Sequence, residues 1–233
     1  MLDASFWKHL LVVNNVSLKS ILDKIQEELR KREDVREKVQ KDMRRATRLS
    51  KQAILFTHQE RFGDAKNLLE EASKLFAKLR EVSKDYPDLF YSGLVSVAFE
   101  EYTEAHTLFM LIEEDRFIGS EELGVPAVSY VLGLGDVVGE LRRRALDSIR
   151  KGKVETAEKC LETMEHIYSE LTAMDDAYLL VSGLRRKCDV ARRLIEITRG
   201  DVTIEARRTA LERSILKLEE TIGKKKKVSE AKN

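Results

Sequence analysis

Apolar residues recur at helical spacing along most of the chain. From about Val16 to Phe56 they fall at Ile21, Ile25, Leu29, Val35, Val39 and Met43, which predicts one long amphipathic helix, or two joined end to end near Arg32. The opposite face is basic. RFGD at 61–64 interrupts the pattern, and Asp64 is placed to N-cap a second helix, KNLLEEASKLFAKLREV, ending near Tyr86-Pro87. Pro87 suits the first turn of a third helix, about Asp88 to Glu113, which gives way to the polar stretch EEDRFIGSEELGVP. Pro126 then starts a fourth, AVSYVLGLGDVVGELRRRALDSIRKG, apolar nearly all round through residue 141 and therefore expected in the middle of a bundle. Lys151-Gly152 closes it. Helices five, six and seven are expected at about 153–173, 176–199 and 202–222, separated by Met174-Asp175 and Arg199-Gly200-Asp201.

This pattern predicts an all-α chain with a single domain over residues 1–222 and a polar, disordered tail at 223–233. Composition agrees: the 233 residues include only two prolines and are 42% hydrophobic and 36% charged, dominated by good helix formers. No fixed repeat period links RFGDAKNLLEEASKLF to RKGKVETAEKCLETMEHIY, so an α-solenoid is the minor alternative. The run LLVV at Leu10 to Val13 is too short to span a bilayer and no signal-peptide cleavage site follows it, so a soluble, cytoplasmic protein with no membrane partner is expected. Cys160 and Cys188 stand alone in helical patterns, which fits buried free thiols rather than a zinc site or disulfide framework.

Glycine marks the fourth helix. Gly133, Gly135 and Gly139 each cost about 1 kcal/mol of helix propensity relative to alanine, so their presence suggests close approach of another helix or of a ligand. The same helix carries Asp136 and Glu140 at i,i+4, with no obvious polar face before Arg142 to accommodate them. In the third helix Glu104 pairs at i,i+3 with Glu101, or at i,i+4 with Glu100, between Leu94, Val97, Ala98, Leu108 and Leu111. Spacing alone leaves that choice open. Carboxylates gathered between packed helices repel one another unless a cation or shared protons compensate, and an all-oxygen set suits Mg²⁺, or Mn²⁺. Di-iron bundles need Glu-x-x-His, and none of His9, His58, His106 or His166 follows a glutamate at that spacing. His58 and His106 read as packing or polar-edge residues.

The net charge of +1 conceals segregation. Residues 30 to 51 carry ten Lys or Arg against four acids, whereas residues 100 to 122 carry eight acids against one arginine. Arg44, Arg48 and Lys51 share one helical face with Arg45 beside it, a stripe suited to phosphates, although a solvated face is the competing reading. A basic stripe beside an acidic cluster fits metal-dependent chemistry on nucleic acid.

FEEYTEA at 99–105 and YVLGLGDVVGELRRRALDSIRKG at 130–152 resemble the translin superfamily, specifically the branch of translin-associated factor X (Trax) and its archaeal relatives. The basic helix EDVREKVQKDMRRATRLSKQAI and LRRKCDVARRLI support the resemblance, which covers most of residues 30 to 201. It implies a seven-helix bundle of the translin type that assembles into a hollow shell, commonly an octamer, here as a homo-oligomer. It also implies Mg²⁺-dependent endonucleolytic cleavage of RNA, with Glu101, Glu104 and Asp136, followed by Glu140, as the catalytic set. These four carboxylates are expected to bind the metal, and Arg44, Arg45, Arg48 and Lys51 of the basic stripe to position the RNA backbone. The alternatives are a translin-like protein that binds RNA or single-stranded DNA without cleaving it, and a helical adaptor for protein partners.

Overall fold

The structure is a computed structural model that describes residues 18–174 and 180–230. The described residues form eight helices and no strand: α1 (Leu18–His58), α2 (Phe62–Val82), α3 (Pro87–Phe90), α4 (Gly93–Glu113), α5 (Ser120–Leu123), α6 (Ala127–Arg150), α7 (Val154–Ala173) and α8 (Leu184–Glu230). The all-α expectation holds. α1 packs along α2 and α4, α4 packs on α6, and α6 packs in turn against α7 and α8. None of these helices is long and apolar enough to cross a membrane.

The apolar stripes build the core directly. Ala65, Leu69, Ala72, Phe76 and Leu79 form the buried face of α2, and Ala157, Cys160, Met164, Ile167 and Leu171 that of α7. Phe76 stacks on Phe99 of α4 at 4.7 Å between ring centroids, joining the α1–α2 layer to the centre. Cys160 and Cys188 are free and buried.

Several boundaries differ from those the pattern predicts. α1 runs unbroken past Arg32 to His58. Arg61, not Asp64, occupies the N-cap of α2; Asp64 sits in the first turn and pairs with Arg61 at 2.6 Å. The expected third helix is divided at residues 91–92, leaving Pro87–Phe90 as a separate turn, and EEDRFIGSEELGVP contains the short helix α5. The start expected near 176 falls among residues outside the described ones. Expected helices six and seven are one helix, because Gly200 is overridden by its neighbours. Thr198 and Val202 are buried on either side of it, and Arg142 of α6 reaches Thr198 at 2.6 Å and Asp201 at 3.4 Å. Those contacts offset the roughly 1 kcal/mol cost of an interior glycine. Helical backbone continues to Glu230, past the boundary expected at 222.

Gly133 sets the spacing between α4 and α6. A Cβ there would lie 2.6 Å from the Glu100 carbonyl oxygen and 2.7 Å from the Thr103 Cβ, so the backbones meet at this point. Gly133→Ala is expected to destabilise the fold by about 1–3 kcal/mol through forced separation of the two helices, read as a lower urea midpoint. An unchanged midpoint would mean the helices are free to part.

Candidate active site

The close α4–α6 crossing brings both acid pairs into one electrostatic neighbourhood. Glu104 reports it. Burial, followed by the charges of Asp136, Glu101 and Glu140, pushes its carboxyl up to about 8 from the ordinary 4.5. It makes no hydrogen bond or ion pair among the described residues. The other three predicted acids are therefore each close enough to act on Glu104.

The other three each face a basic side chain. Lys51 of α1 lies 3.1 Å from Glu101. The Lys187 ammonium of α8 donates to Asp136, to Glu100 at 2.9 Å and to the Leu132 carbonyl at 3.1 Å. Burial works against that ammonium, but its bonds to Asp136 and Glu100 prevail and raise its pKa above the ordinary lysine value. His58 of α1, only 5% exposed, bonds Glu140 through Nε2 at 2.6 Å, and Arg143 approaches the same oxygen at 3.6 Å. The bond from His58, opposed by burial and helped by Arg143, holds Glu140 below the usual glutamate range. Glu100 and Glu101 diverge, the first toward α8 and the second toward α1.

No group of three or more His, Cys, Asp or Glu side chains among the described residues is closed into a ready metal cage, since the carboxylates turn toward their basic partners. The donor chemistry nevertheless suits a hard cation. Three oxygen-donating carboxyls, of Glu101, Asp136 and Glu140, act on Glu104, the one acid of the four without a positive partner within bonding distance, and a divalent ion is the species that would keep it ionised.

Of the predicted basic stripe, Arg44, Arg48 and Lys51 are exposed along α1 and lead to Glu101. Arg44 rests 3.4 Å from Gln40, and Arg48 makes no ion pair or hydrogen bond among the described residues. Arg45 turns aside to pair with Glu71 of α2. Sequence reasoning leaves Arg185 to Lys187 as a solvated end or a further backbone contact, not a partner of the acids, and sets His58 aside as a packing or polar-edge residue. His58 had a signal, since it lies seven residues beyond Lys51 on the face that carries Arg44 and Arg48. Lys187 had none, because its partners belong to other helices. His106 is a packing residue: its Nδ1 is buried without a hydrogen-bond partner, and burial pulls its pKa down.

An all-α bundle whose α4–α6 crossing brings Glu101, Asp136 and Glu140 to bear on Glu104, beside exposed cations of α1, has the architecture of a translin-type helical protein. The translin family model matches residues 34–222, and the chain belongs to that family. An uncharacterized protein of Methanocaldococcus jannaschii is 32% identical over 176 residues, 75% of this chain and 78% of that protein. Two solved structures are similar over most of the chain. AfC3PO has a TM-score of 0.73 at 33% identity and apo-NeC3PO a TM-score of 0.71 at 30% identity, each match covering 79% of this chain and 96% of the other. AfC3PO has also been solved in complex with duplex RNA, and that structure matches with a TM-score of 0.72.

Proposed function

We propose that this chain is a divalent-cation-dependent endoribonuclease of the Trax branch, acting on RNA inside a homo-oligomeric shell. The observation that carries the reading is the carboxyl of Glu104, held near 8 by burial and by Asp136, Glu101 and Glu140. So unfavourable a cluster costs stability, which is expected at a site built for a cation rather than for packing.

Glu101, Glu104, Asp136 and Glu140 would hold Mg²⁺, or Mn²⁺. Bound there, the ion would supply a more acidic water and neutralise charge growing on the phosphoryl oxygens. The chain's own groups do the rest. Glu104 gives up its proton as the site becomes cation-bound. Lys51 and Lys187, now neutralising carboxylates, become free to meet phosphate. His58 holds Glu140 in orientation through the Nε2 bond. Arg44 and Arg48 position the RNA backbone, with Arg45 available if it leaves Glu71, and nothing in this set reads a base. The complex of AfC3PO with duplex RNA makes a short duplex a substrate to test beside single strands and single-stranded DNA.

Two exposed apolar helix faces support assembly: Leu18, Ile21, Ile25 and Leu29 on α1, and Ile197, Ile204, Leu211 and Leu218 at seven-residue steps on α8. An octamer is the expected shell, checked by mass in solution.

The decisive experiment incubates labelled single-stranded and duplex RNA with the protein in Mg²⁺ and in EDTA. Internal cleavage in Mg²⁺ alone is expected. Binding without cleavage in either condition would favour the second reading, a non-catalytic RNA-binding protein. The pairing of three carboxylates with Lys51, Lys187 and His58 is the observation on that side. Indifference to RNA and metal would leave a helical adaptor. RNA affinity should also fall with salt, and the Arg44→Ala/Arg48→Ala double variant should flatten the log–log slope by about 1–2 while weakening all sequences alike. A slope equal to wild type would remove the stripe from the interface.

A further inference from the structure

The structure accounts for two of the three glycines in α6. Gly133 admits α4, and a Cβ at Gly135 would lie 3.2 Å from the Lys187 Cβ, so that glycine admits the lysine stem. A Cβ at Gly139 would meet nothing among the described residues within 4 Å. A mid-helix glycine is less favourable than alanine by about 1 kcal/mol, and no neighbour among the described residues compels this one.

What Gly139 borders is a cavity of about 400 Å³ between α6 and α8, lined also by Asp136, Arg186, Lys187, Ala191 and Leu194. Its volume falls in the range of small-ligand sites. Ala191 and Leu194 supply an apolar wall, while Lys187 and Arg186 supply positive charge at one side. The Arg186 guanidinium is exposed and makes no ion pair or hydrogen bond among the described residues. Asp136 belongs both to this cavity and to the carboxylate cluster, so an occupant of the cavity adjoins the proposed reaction centre.

We infer that this cavity receives one nucleotide of the RNA, next to the phosphate to be cleaved, its base against Ala191 and Leu194 and its backbone against Arg186 and Lys187. Gly139 is glycine because a side chain there would occupy the space. The inference rests on the ribonuclease reading and adds to it the place where the strand is held. A flat apolar base joined to an anionic backbone matches a wall that is apolar on one side and cationic on the other. A helix of a second copy, the other occupant to consider, would leave the unpaired guanidinium and the Asp136 side unmatched.

The test is Gly139→Leu in the full chain, with Gly139→Ala as the smaller step. Labelled single-stranded RNA is titrated in EDTA, where no cleavage confounds affinity, and adenosine 5′-monophosphate is titrated by calorimetry. Gly139→Leu is expected to weaken RNA binding about tenfold and Gly139→Ala about twofold, with loss of the mononucleotide signal. The unfolding midpoint should be at or above wild type, since both replacements favour the helix. Arg186→Glu should weaken binding independently. RNA affinity unchanged in Gly139→Leu overturns the inference, as does a changed oligomer mass at unchanged affinity, which would assign the cavity to a second copy. Wild type that binds RNA but never cleaves it overturns the ribonuclease reading instead, so the two failures are distinct.

Discussion

Asp136→Asn should lose RNA cleavage in Mg²⁺ by about 10²–10³-fold or more, as expected when one preorganised electrostatic contribution to the transition state is removed. The loss should appear without unfolding. Lys187 keeps Glu100 and the Leu132 carbonyl as acceptors, and the amide is close in shape to the carboxyl it replaces. Removing one of the charges that act on Glu104 relieves repulsion at the helix crossing, so stability should hold or rise. RNA binding in EDTA should stay within a few-fold of wild type, because the phosphate-facing cations of α1 are untouched. Glu101→Ala should behave similarly, with Lys51 released to solvent. Near-wild-type cleavage by either folded variant would remove the carboxylate cluster from the chemistry.

The second large effect concerns stability and pH. Glu104 ionises near 4.5 when the chain is unfolded and near 8 when it is folded, so between those values the folded state holds a proton that the unfolded state has released. Raising the pH through that window therefore destabilises the metal-free protein, by as much as about 4 kcal/mol at pH 8 and above. Glu104→Gln has no such proton to lose, and Glu104 makes no hydrogen bond that the amide would forfeit. The variant should match wild type near pH 5 and exceed it increasingly toward pH 8 in urea unfolding, while being inactive on RNA. Mg²⁺ should narrow the gap by binding the ionised wild-type site, with release of about one proton at pH 7 seen by calorimetry in buffers of different ionisation enthalpy. A stability difference independent of pH would show that Glu104 is solvated and ordinary.

These expectations trace back to sequence features of unequal legibility. The stripes of α2 and α7 are readable because a helix repeats its facing every three to four residues, so burial of Leu69, Phe76, Met164 and Leu171 follows from spacing. The pairs Glu101/Glu104 and Asp136/Glu140 are readable for the same reason, each being local to one helix. Gly200 misled because its propensity cost is small beside the packing of Thr198 and Val202, which involves α6 and α7. The pairing of Lys187 was invisible because Asp136 and Glu100 lie 51 and 87 residues away.

Patterning by itself thus determined an all-helical chain, its principal apolar faces, two carboxylate pairs and a cationic stripe, all set by side-chain spacing along single helices. Only the tertiary structure decided that the two pairs share one field, that Lys51, Lys187 and His58 stand opposite three of the acids, and that Gly139 borders a cavity. Electrostatic coupling and cavity shape depend on distances between helices, and those are fixed by packing at contacts such as Gly133 against Glu100 and Thr103, which no periodicity within one helix encodes.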